Sequence, residues 1–430
     1  MGDPRGRPGR AREVSPAGGP TGAAVRRWRP GLRATAMAGF STVVVVLPVF
    51  LVGGLAVQME EDLGMTATAL GAAVAVYWGV SAVLSVKGGD VVQRLGPRRG
   101  MLLGVVSGLV SLLGIAFATP HWGWLFCWLA LAGAANALGH PASNGLLIKQ
   151  VSVRNRAFAF GLKQTAVPAA TLAAGISVPV LALTVGWEWT FAVAAVLAVP
   201  ILPAITRLVP RERPVPVGAQ GPATRAALPP RLRTFLVATA VAAAMGSAQA
   251  NALGAFTVVT AVDAGFSPAE AGLLLGLGSA AGCLVRPLVG MAADRGIGGS
   301  MATVALMLGI GCLGLLAMAS GNLVAFAVGC VLAFGFGWGW NGLVHYVVSH
   351  RSHPFTARAT GISQSGTYVG GTVGPLVFGI VLAAFGPTAA WVVSAAVAAM
   401  GAGAALVAFR LERALPHPAP SGTKAREKSF

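Results

Sequence analysis

Two cations of this sequence stand inside apolar stretches, where a charged side chain is costly and usually serves a function. Arg286 lies near the end of the apolar stretch 268–292 and is followed by Pro287. Lys163 lies near the start of the stretch 159–184. A guanidinium or an ammonium at such a depth is suited to hold a small anion. The alternative for both residues is that the long side chain reaches back to the polar end of its stretch.

Uncharged polar side chains recur in the other apolar stretches. Asn136 and His140 are four residues apart, as are Asn341 and His345, so each pair shares one face of a helix. The two histidines titrate nearest to neutral pH and are candidates to carry a proton. The alternative is that such groups only hydrogen-bond neighbouring helices, at about 0.6 kcal/mol each. The further amides that are candidates for contacts with a solute are Gln164, Gln249, Asn251 and Gln364.

The acidic residues exclude several kinds of chemistry. All 13 carboxylates lie at the ends of the apolar stretches or between them. No Ser/His/Asp set, carboxylate pair or cluster of metal ligands falls inside an apolar stretch. We therefore expect no enzyme activity, no bound metal and no cofactor.

The composition shows what kind of element must position these residues. Of 430 residues, 55% are apolar and 10% are charged, where a soluble protein has about a quarter charged. A helix that crosses a bilayer needs about 20 apolar residues. The sequence therefore predicts an all-α integral membrane protein with twelve transmembrane helices. The predicted spans are 34–57, 67–86, 100–118, 122–148, 159–184, 188–206, 234–261, 268–292, 300–319, 322–349, 359–384 and 387–409.

The net charge of +18 would suggest a nucleic-acid partner in a soluble protein, but the high mean hydropathy argues against one. The 31 Lys and Arg residues lie in the two terminal segments and in one alternate set of loops, or at the adjoining ends of spans. By the positive-inside rule, both termini and the central loop are expected in the cytoplasm. The opposite set of loops carries Glu60, Glu61, Asp62, Glu188, Asp263 and Glu270.

The chain divides into two similar halves. Gly161–Gln164 matches Gly361–Gln364, and other matches occur in the same order at a shift of about 200 residues. Both halves begin on the same side, so they are expected to be parallel repeats. The predicted organisation is a disordered basic cytoplasmic tail over 1–33, six-helix bundles over 34–206 and 234–409, a cytoplasmic linker over 207–233, and a cytoplasmic tail over 410–430.

A loop motif of the form G-x-x-x-D-R-x-G-R-R follows the second and eighth spans. One copy has Gly290, Asp294 and Arg295; the other has Gly89, Asp90 and Arg94, with Gln93 where the motif has Asp. With the twelve spans and the repeat, this motif resembles the major facilitator superfamily of secondary transporters. The resemblance implies the fold of that family, with the motif acting as a latch between access states. Gly89 and Gly290 are expected to allow close helix approach.

Two kinds of solute are compatible with these residues. The first is a small anionic metabolite, with Arg286 and Lys163 as its cations and protons as a candidate coupling ion. The second is an apolar or cationic compound, exported past the aromatic run of Phe334, Phe336, Trp338 and Trp340. That run is also suited simply to pack against small residues, as are the glycines Gly366, Gly370 and Gly374.

The resemblance implies alternating access around a site near the middle of the membrane. A channel or a receptor is less favoured, because no ring of charges or carbonyl filter is evident. The expected setting is the bacterial inner membrane. The expected partners are the lipid bilayer, a small solute and protons, with no nucleic acid and with the chain as a monomer.

Overall fold

The computed structural model describes residues 21–152, 155–211, 228–353 and 355–415, and all regular structure within them is helical. Two π-helical turns occur, at Val178–Ala182 and Ala333–Gly337. The α-helices are α1 (Thr21–Gly54), α2 (Ala56–Leu63), α3 (Ala67–Leu95), α4 (Pro97–Phe117), α5 (Trp124–Gln150), α6 (Arg156–Gln164), α7 (Ala166–Ser177), α8 (Leu183–Val185), α9 (Trp187–Ala198), α10 (Ile201–Leu208), α11 (Pro230–Asp263), α12 (Pro268–Asp294), α13 (Met301–Met318), α14 (Leu323–Leu332), α15 (Asn341–Arg351) and α16 (Thr356–Arg413).

In the described part of the chain, ten helical segments are long and apolar enough to cross a membrane. The longest of them, over Arg358–Arg413, covers two predicted spans that meet at Gly386, where φ is 81°. Helix α5 is long enough but is not among the ten, because Asn136, His140 and Asn144 lower its hydropathy. The protein is thus an all-α, multi-pass membrane protein. The count of twelve spans agrees with these helices and stays a prediction.

The predicted boundaries differ from the structure at both ends. Helix α1 begins at Thr21, so part of the segment 1–33 that we predicted to be disordered is helical. Extending an existing helix costs little, because each added residue makes a further hydrogen bond. Helix α16 likewise continues to Arg413, beyond the predicted start of the last tail at residue 410. The remainder of both tails and most of the linker 207–233 lie outside the described residues.

Glycines with positive φ mark equivalent turns in the two halves. Gly96 (φ 79°) ends α3 and Gly296 (φ 80°) follows α12. Gly186 (φ 102°) precedes α9, and Gly386 (φ 81°) separates the two spans of α16. Glycine adopts this backbone region without a steric penalty. Because the pairs recur at a shift of about 200 residues, they support the predicted internal repeat.

The most extensive contacts between the N-terminal half (α1–α10) and the C-terminal half (α11–α16) are made by three helix pairs. Helix α1 meets α11, α3 meets α16, and α7 meets α12. A methyl group added at Gly53 would lie 2.8 Å from Cα of Ala255, and one at Gly175 would lie 2.6 Å from the Gly272 carbonyl oxygen. A methyl group at Gly71 would overlap the Pro375 carbonyl. The halves are therefore packed backbone to backbone towards the face that carries Glu60 and Asp263, which we call the acidic face.

A stripe of small residues holds the C-terminal half together. On α16 it lies against alanine carbonyl groups of α11, and a methyl group at any of its three glycines would overlap that backbone. The tight packing predicted for these glycines is present. The facing pairs are Gly366 with Ala240, Gly370 with Ala244, and Gly374 with Ala248.

We expect Gly370→Val to destabilise the protein, because overpacking of a tight interface costs about 1–3 kcal/mol. Gly309→Val is the matched control, because a methyl group there meets no atom within 4 Å. Thermal unfolding in detergent should give a lower midpoint for Gly370→Val alone. Equal midpoints for the two variants would show that the stripe does not limit stability.

Candidate functional site

Lys163 lies at the centre of a polar cluster and not at a surface. Its side chain is 1% exposed. The ammonium nitrogen Nζ donates to Asn144 Oδ1 at 2.6 Å and to the His140 carbonyl oxygen at 3.4 Å. Asn144 and His140 are four residues apart on α5, so one face of that helix supplies both acceptors. The side chain therefore does not reach back to the end of its span.

A chain of hydrogen bonds fixes the polar face of α5. His140 Nδ1 lies 3.2 Å from Asn136 Oδ1, and Asn136 Nδ2 donates to Ser81 Oγ at 3.2 Å. Because Asn136 Oδ1 can only accept, this arrangement places the ring proton on Nδ1. Ser81 in turn donates to the carbonyl oxygens of Tyr77 and Gly133. The face is therefore held against α3 and has a defined orientation.

The C-terminal half closes the cluster from the other side. His345 on α15 is close enough to Lys163 and His140 to interact with both electrostatically, and it faces Gln364 on α16. The Tyr368 hydroxyl lies beside Gln364, Asn136 and Ser85. The structure thus brings side chains from both halves together. The set that we call the central polar cluster is Asn136, His140, Asn144, Lys163, His345, Gln364 and Tyr368.

Aromatic rings and two unpaired polar atoms border this cluster. Trp78 lies with its ring centroid 4.9 Å from Tyr77 and 6.1 Å from Tyr368. The indole nitrogen of Trp78 is buried, and no hydrogen-bond acceptor for it is found in the described chain. Asn251 Nδ2 donates to Ser247 Oγ at 3.0 Å, and its buried Oδ1 also lacks a donor there. Trp78 thus offers an unpaired donor and Asn251 an unpaired acceptor beside the cluster.

Arg286 connects the two halves of the chain. Its side chain is 6% exposed, so it does not reach back to the end of its span. Nη1 donates to the Gln164 carbonyl oxygen at 2.6 Å, and Nη2 donates to the Trp338 carbonyl oxygen at 3.1 Å. The guanidinium carbon also lies 5.9 Å from the centre of the Trp338 ring. We call this arrangement the Arg286 bridge.

Helix irregularities provide both acceptors of the Arg286 bridge. Pro168 has no N–H group, so the Gln164 carbonyl four residues earlier lacks its usual helical partner. Trp338 follows directly after the π-helical turn Ala333–Gly337, where the regular pattern is interrupted. A buried carbonyl without a partner is costly. The guanidinium therefore satisfies backbone atoms on both sides of the interface.

The two cations do not face one another around a shared site. Lys163 hydrogen-bonds α5 and interacts electrostatically with the two histidines, whereas Arg286 uses two of its nitrogen atoms on backbone carbonyls. Arg286 Nε is buried without a partner among the described residues. Lys163 is thus the cation of the central polar cluster. Arg286 lies next to this cluster because it binds the carbonyl of Gln164, the residue after Lys163.

Three other predicted contacts have different surroundings. Gln249 Nε2 donates to the carbonyl oxygens of Gly246 and Gly337, so this amide ties α11 to a π-helical turn. Asn341 is partly buried at the start of α15, and its side chain has no hydrogen bond in the described part of the chain. For Gln164 it is the backbone carbonyl that takes part in a contact between the halves.

The aromatic run packs within the protein. Phe334, Trp338 and Trp340 are buried, and only Phe336 is partly exposed. Trp338 lies 5.6 Å from both Phe334 and Phe50, measured between ring centroids. These rings fill space between helices, which is the packing role considered for them.

The loop motifs differ from their expected role. Neither Gly89 nor Gly290 has an atom within 4 Å of an added methyl group, so the expected close approach at these glycines is wrong for this structure. That approach occurs at Gly88, where a methyl group would lie 2.6 Å from the Ala137 carbonyl oxygen. The reason is geometric, since adjacent helix residues point about 100° apart.

The motif charges that the structure describes are not paired with one another. Arg94, Asp294 and Arg295 are exposed and make no ion pair among the described residues. The side chain of Asp90 lies outside what the structure describes. The latch role of these residues stays a prediction.

Sequence reasoning did not include Tyr368, Trp78 or Ser81 in the site. Tyr368 lies four residues after Gln364 on the same helix face, and the chain has only 3 tyrosines. A tyrosine within an apolar span, one turn from an amide, is a usable signal. Pro168, four residues after Gln164, is the corresponding signal for the Arg286 bridge.

The acidic face brings like charges together. Glu60 on α2 lies near Asp263 on α11 and beside Glu61. Partial burial, followed by the charges of Asp263 and Glu61, raises the pKa of the Glu60 carboxyl above its usual value. Nearby, Trp187 Nε1 donates to Asp62 Oδ2 at 2.8 Å.

Comparison with known proteins identifies relatives of the whole architecture. A family model described as the Major Facilitator Superfamily matches residues 32–355. A solved structure described as a bacterial homolog of the human lysosomal transporter Spinster, in an inward-facing and occupied conformation, superposes with a TM-score of 0.64 at 15% sequence identity. The match covers 91% of this chain and 99% of that one, and at this identity it shows the fold alone. No curated protein matches the chain in sequence.

We expect the packing of the acidic face to tighten as the pH falls. Ionised Glu60 is disfavoured where the halves meet, which is why its pKa is raised. When the pH falls through this pKa, Glu60 is protonated and its repulsion from Asp263 is removed. The distance between spectroscopic probes on α2 and on the α11–α12 connection should shorten with decreasing pH. Glu60→Gln should abolish this dependence and Glu188→Gln should preserve it; an unchanged response in Glu60→Gln would contradict the assignment.

We expect Arg286→Gln to lower the free energy of unfolding by about 1–3 kcal/mol or more, because at least one buried carbonyl loses its donor. Arg295→Gln is the control, since Arg295 is exposed. The measurement is the thermal unfolding midpoint of each purified variant in detergent. If both variants unfold at the same temperature, the Arg286 bridge contributes nothing to stability.

Proposed function

Because the chain belongs to the major facilitator superfamily, we propose that it is a secondary active transporter that carries a small anionic metabolite across the bacterial inner membrane. The family predicted from the repeat and the loop motif is thereby confirmed. Family membership indicates a transporter of a small-molecule solute and not an enzyme. The likeness to a solved structure of a transporter homolog supports the same assignment.

The observation that carries the anion proposal is the position of Lys163. Its side chain is buried, and both of its hydrogen-bond acceptors are uncharged oxygen atoms. A buried charge in a protein is normally paired with an opposite charge or a metal. Since the carboxylates lie at the ends of the spans or between them, the counter-charge of Lys163 is supplied by the solute.

The remaining side chains of the cluster suit the oxygen atoms of such an anion. The amides of Asn136 and Gln364 and the ring of His345 offer hydrogen-bond donors around the ammonium group, whereas the ring proton of a neutral His140 is already donated to Asn136. Carboxylate and phosphate oxygens accept several such bonds at once. Asn251 and Trp78 would contact the uncharged part of the solute.

Transport by this protein follows alternating access. The halves are packed backbone to backbone towards the acidic face, which is closed in the present state. The Arg286 bridge joins the halves beside the central polar cluster, and it must break when they separate on that side. The loop motifs, with Gly89, Asp90 and Arg94 in one and Gly290, Asp294 and Arg295 in the other, act as latches in this scheme.

The expected orientation places both termini in the cytoplasm, on the side of the basic loops. The protein is proposed to act as a monomer. Its fold gives each chain one site between two halves, so a second chain is not needed to complete the site.

The second candidate function, export of apolar or cationic compounds, has less support. The aromatic run is packed against neighbouring helices and does not form an open wall. Lys163 would also repel a cationic solute. A channel or a receptor has no feature that favours it.

We expect Lys163→Gln to reduce counterflow of the transported anion by about a hundredfold or more, because loss of a buried charge pair costs about 3–5 kcal/mol. The assay uses purified protein in liposomes and compares labelled lactate, phosphate and nitrate with a labelled hydrophobic cation. Lys149→Gln, at the exposed end of α5, is the matched control and should transport normally.

Counterflow of the hydrophobic cation alone would support the exporter and contradict the anion proposal. Anion counterflow that is unchanged in Lys163→Gln would show that the anion binds elsewhere. Flux that does not saturate with concentration would indicate a channel.

A further inference from the structure

We propose that Lys163 itself carries the coupling proton, so that the anion and one proton enter the central polar cluster together. This inference rests on the proposed function, because it takes Lys163 as the cation that meets the anion. The proton is thereby assigned to the amine of Lys163, whereas the sequence suggested the two histidines as proton carriers.

Carboxylates do not supply the proton site in the described interior. Asp62 accepts a hydrogen bond from Trp187, and Glu270 caps the first turn of α12 through Ser267. Glu412 pairs with Arg351 at 3.2 Å and accepts from the backbone of α13. Each of these acids is held at the end of a helix and has a structural partner, so none lies within the central polar cluster.

The surroundings of Lys163 make its protonation depend on the anion. An ammonium group has three N–H donors, and the described structure offers Nζ two oxygen acceptors. A charged amine that is removed from water without a counter-charge is costly, whereas the neutral amine is not. A bound anion provides both the counter-charge and the missing acceptor. Anion and proton therefore favour each other's binding, as linkage requires.

The titratable groups around Lys163 are two histidines, and a charged Lys163 disfavours a positive charge on either of them. His140 on α5 and His345 on α15 face the amine and interact with it electrostatically. Arg286 on α12 binds the carbonyl of the next residue, Gln164. Helix α1 between residues 34 and 54, and helix α7, contribute no titratable side chain. With Lys163 charged, both histidines stay neutral and act as hydrogen-bond partners.

The resulting cycle is balanced in charge and in protons. The empty site contains the neutral amine, and the occupied site contains an ammonium and a monoanion, so both states carry the same net charge. The proton comes from the solution on the side where the anion enters. It returns to the solution on the other side when the anion leaves and the amine loses its counter-charge.

The decisive variant is Lys163→Arg, because arginine keeps the positive charge and does not release a proton. We use whichever of lactate, phosphate and nitrate gives saturable counterflow. Lys163→Arg should retain counterflow within about tenfold of wild type, and it should lose accumulation driven by a pH gradient. Lys149→Arg is the matched control, because it makes the same substitution at the exposed end of α5, and it should retain both activities. Lys163→Gln should lose both.

A second measurement does not depend on the fold of a variant. When the anion is added to wild-type protein in weakly buffered detergent solution, the protein should take up about one proton for each anion bound. A pH indicator measures this uptake. Absence of proton uptake in wild type overturns the inference. Gradient-driven accumulation by Lys163→Arg at the wild-type level also overturns it.

These outcomes separate the inference from the proposed function. If anion counterflow is unchanged in Lys163→Gln, the anion site itself is wrong. If Lys163→Gln abolishes counterflow and wild type takes up no proton, the protein is an anion transporter in which Lys163 binds the solute without carrying a proton. Loss of gradient-driven uptake in His345→Gln, with Lys163→Arg unaffected, assigns the proton to the histidine.

Discussion

The exclusion of water from the interior is the constraint on which this structure depends. In a membrane, each buried N–H, carbonyl and charged group must find its partner within the protein. Lys163 meets this requirement only in part, with an amide and a backbone carbonyl, and Arg286 does so with two carbonyls. Because neither cation has an acidic partner among these contacts, the interior has a surplus of positive charge. That surplus is the observation on which the proposed anion site rests.

Small residues make this arrangement possible by bringing helix backbones together. The Gly and Ala stripe between α11 and α16 fixes one half, and the contacts of Gly53 and Gly175 join the two halves. In a bilayer, helix association gains little from the hydrophobic effect and relies on such close packing and on polar contacts. The interface between the halves thus combines dense packing towards the acidic face with a few polar contacts near the central polar cluster. Such an interface has two separable parts, as a rocking motion requires.

The sequence was sufficient for the fold because its signals are repetitive. Apolar stretches, the alternation of charge between loops and the repeat at about 200 residues each depend on many residues, so single irregularities do not obscure them. The site was only partly predictable. Lys163, His140, Asn136 and Gln364 do meet, whereas Nε2 of Gln249 ties α11 to a π-helical turn. Polar residues that bind a solute and polar residues that join helices have the same spacing in the sequence. They are distinguished only by whether a backbone group of a neighbouring helix lies within hydrogen-bond distance.

The details that sequence patterns missed are those that depend on the neighbours of a residue. The expected glycine contact at Gly89 occurs one position earlier, because one residue turns a helix by about 100°. One of the two carbonyls that Arg286 binds, that of Gln164, has no helical donor because Pro168 lies four residues further along. Proline removes a backbone donor wherever it occurs in a helix, but the sequence does not show which distant cation will use the acceptor that is left.

Lys163 and the acceptor of Arg286 are adjacent residues, and this has a mechanical consequence. Helix α6 is only nine residues long, ends at Gln164, and is separated from α7 by Thr165. A movement of α6 that follows a change at Lys163 must therefore also displace the Gln164 carbonyl, which carries one end of the Arg286 bridge. Conversely, separation of the halves breaks the bond of that carbonyl to Arg286 and returns an unsatisfied acceptor to the helix that holds Lys163. Lys163 and the carbonyl that carries one end of the Arg286 bridge thus belong to neighbouring residues of one short helix.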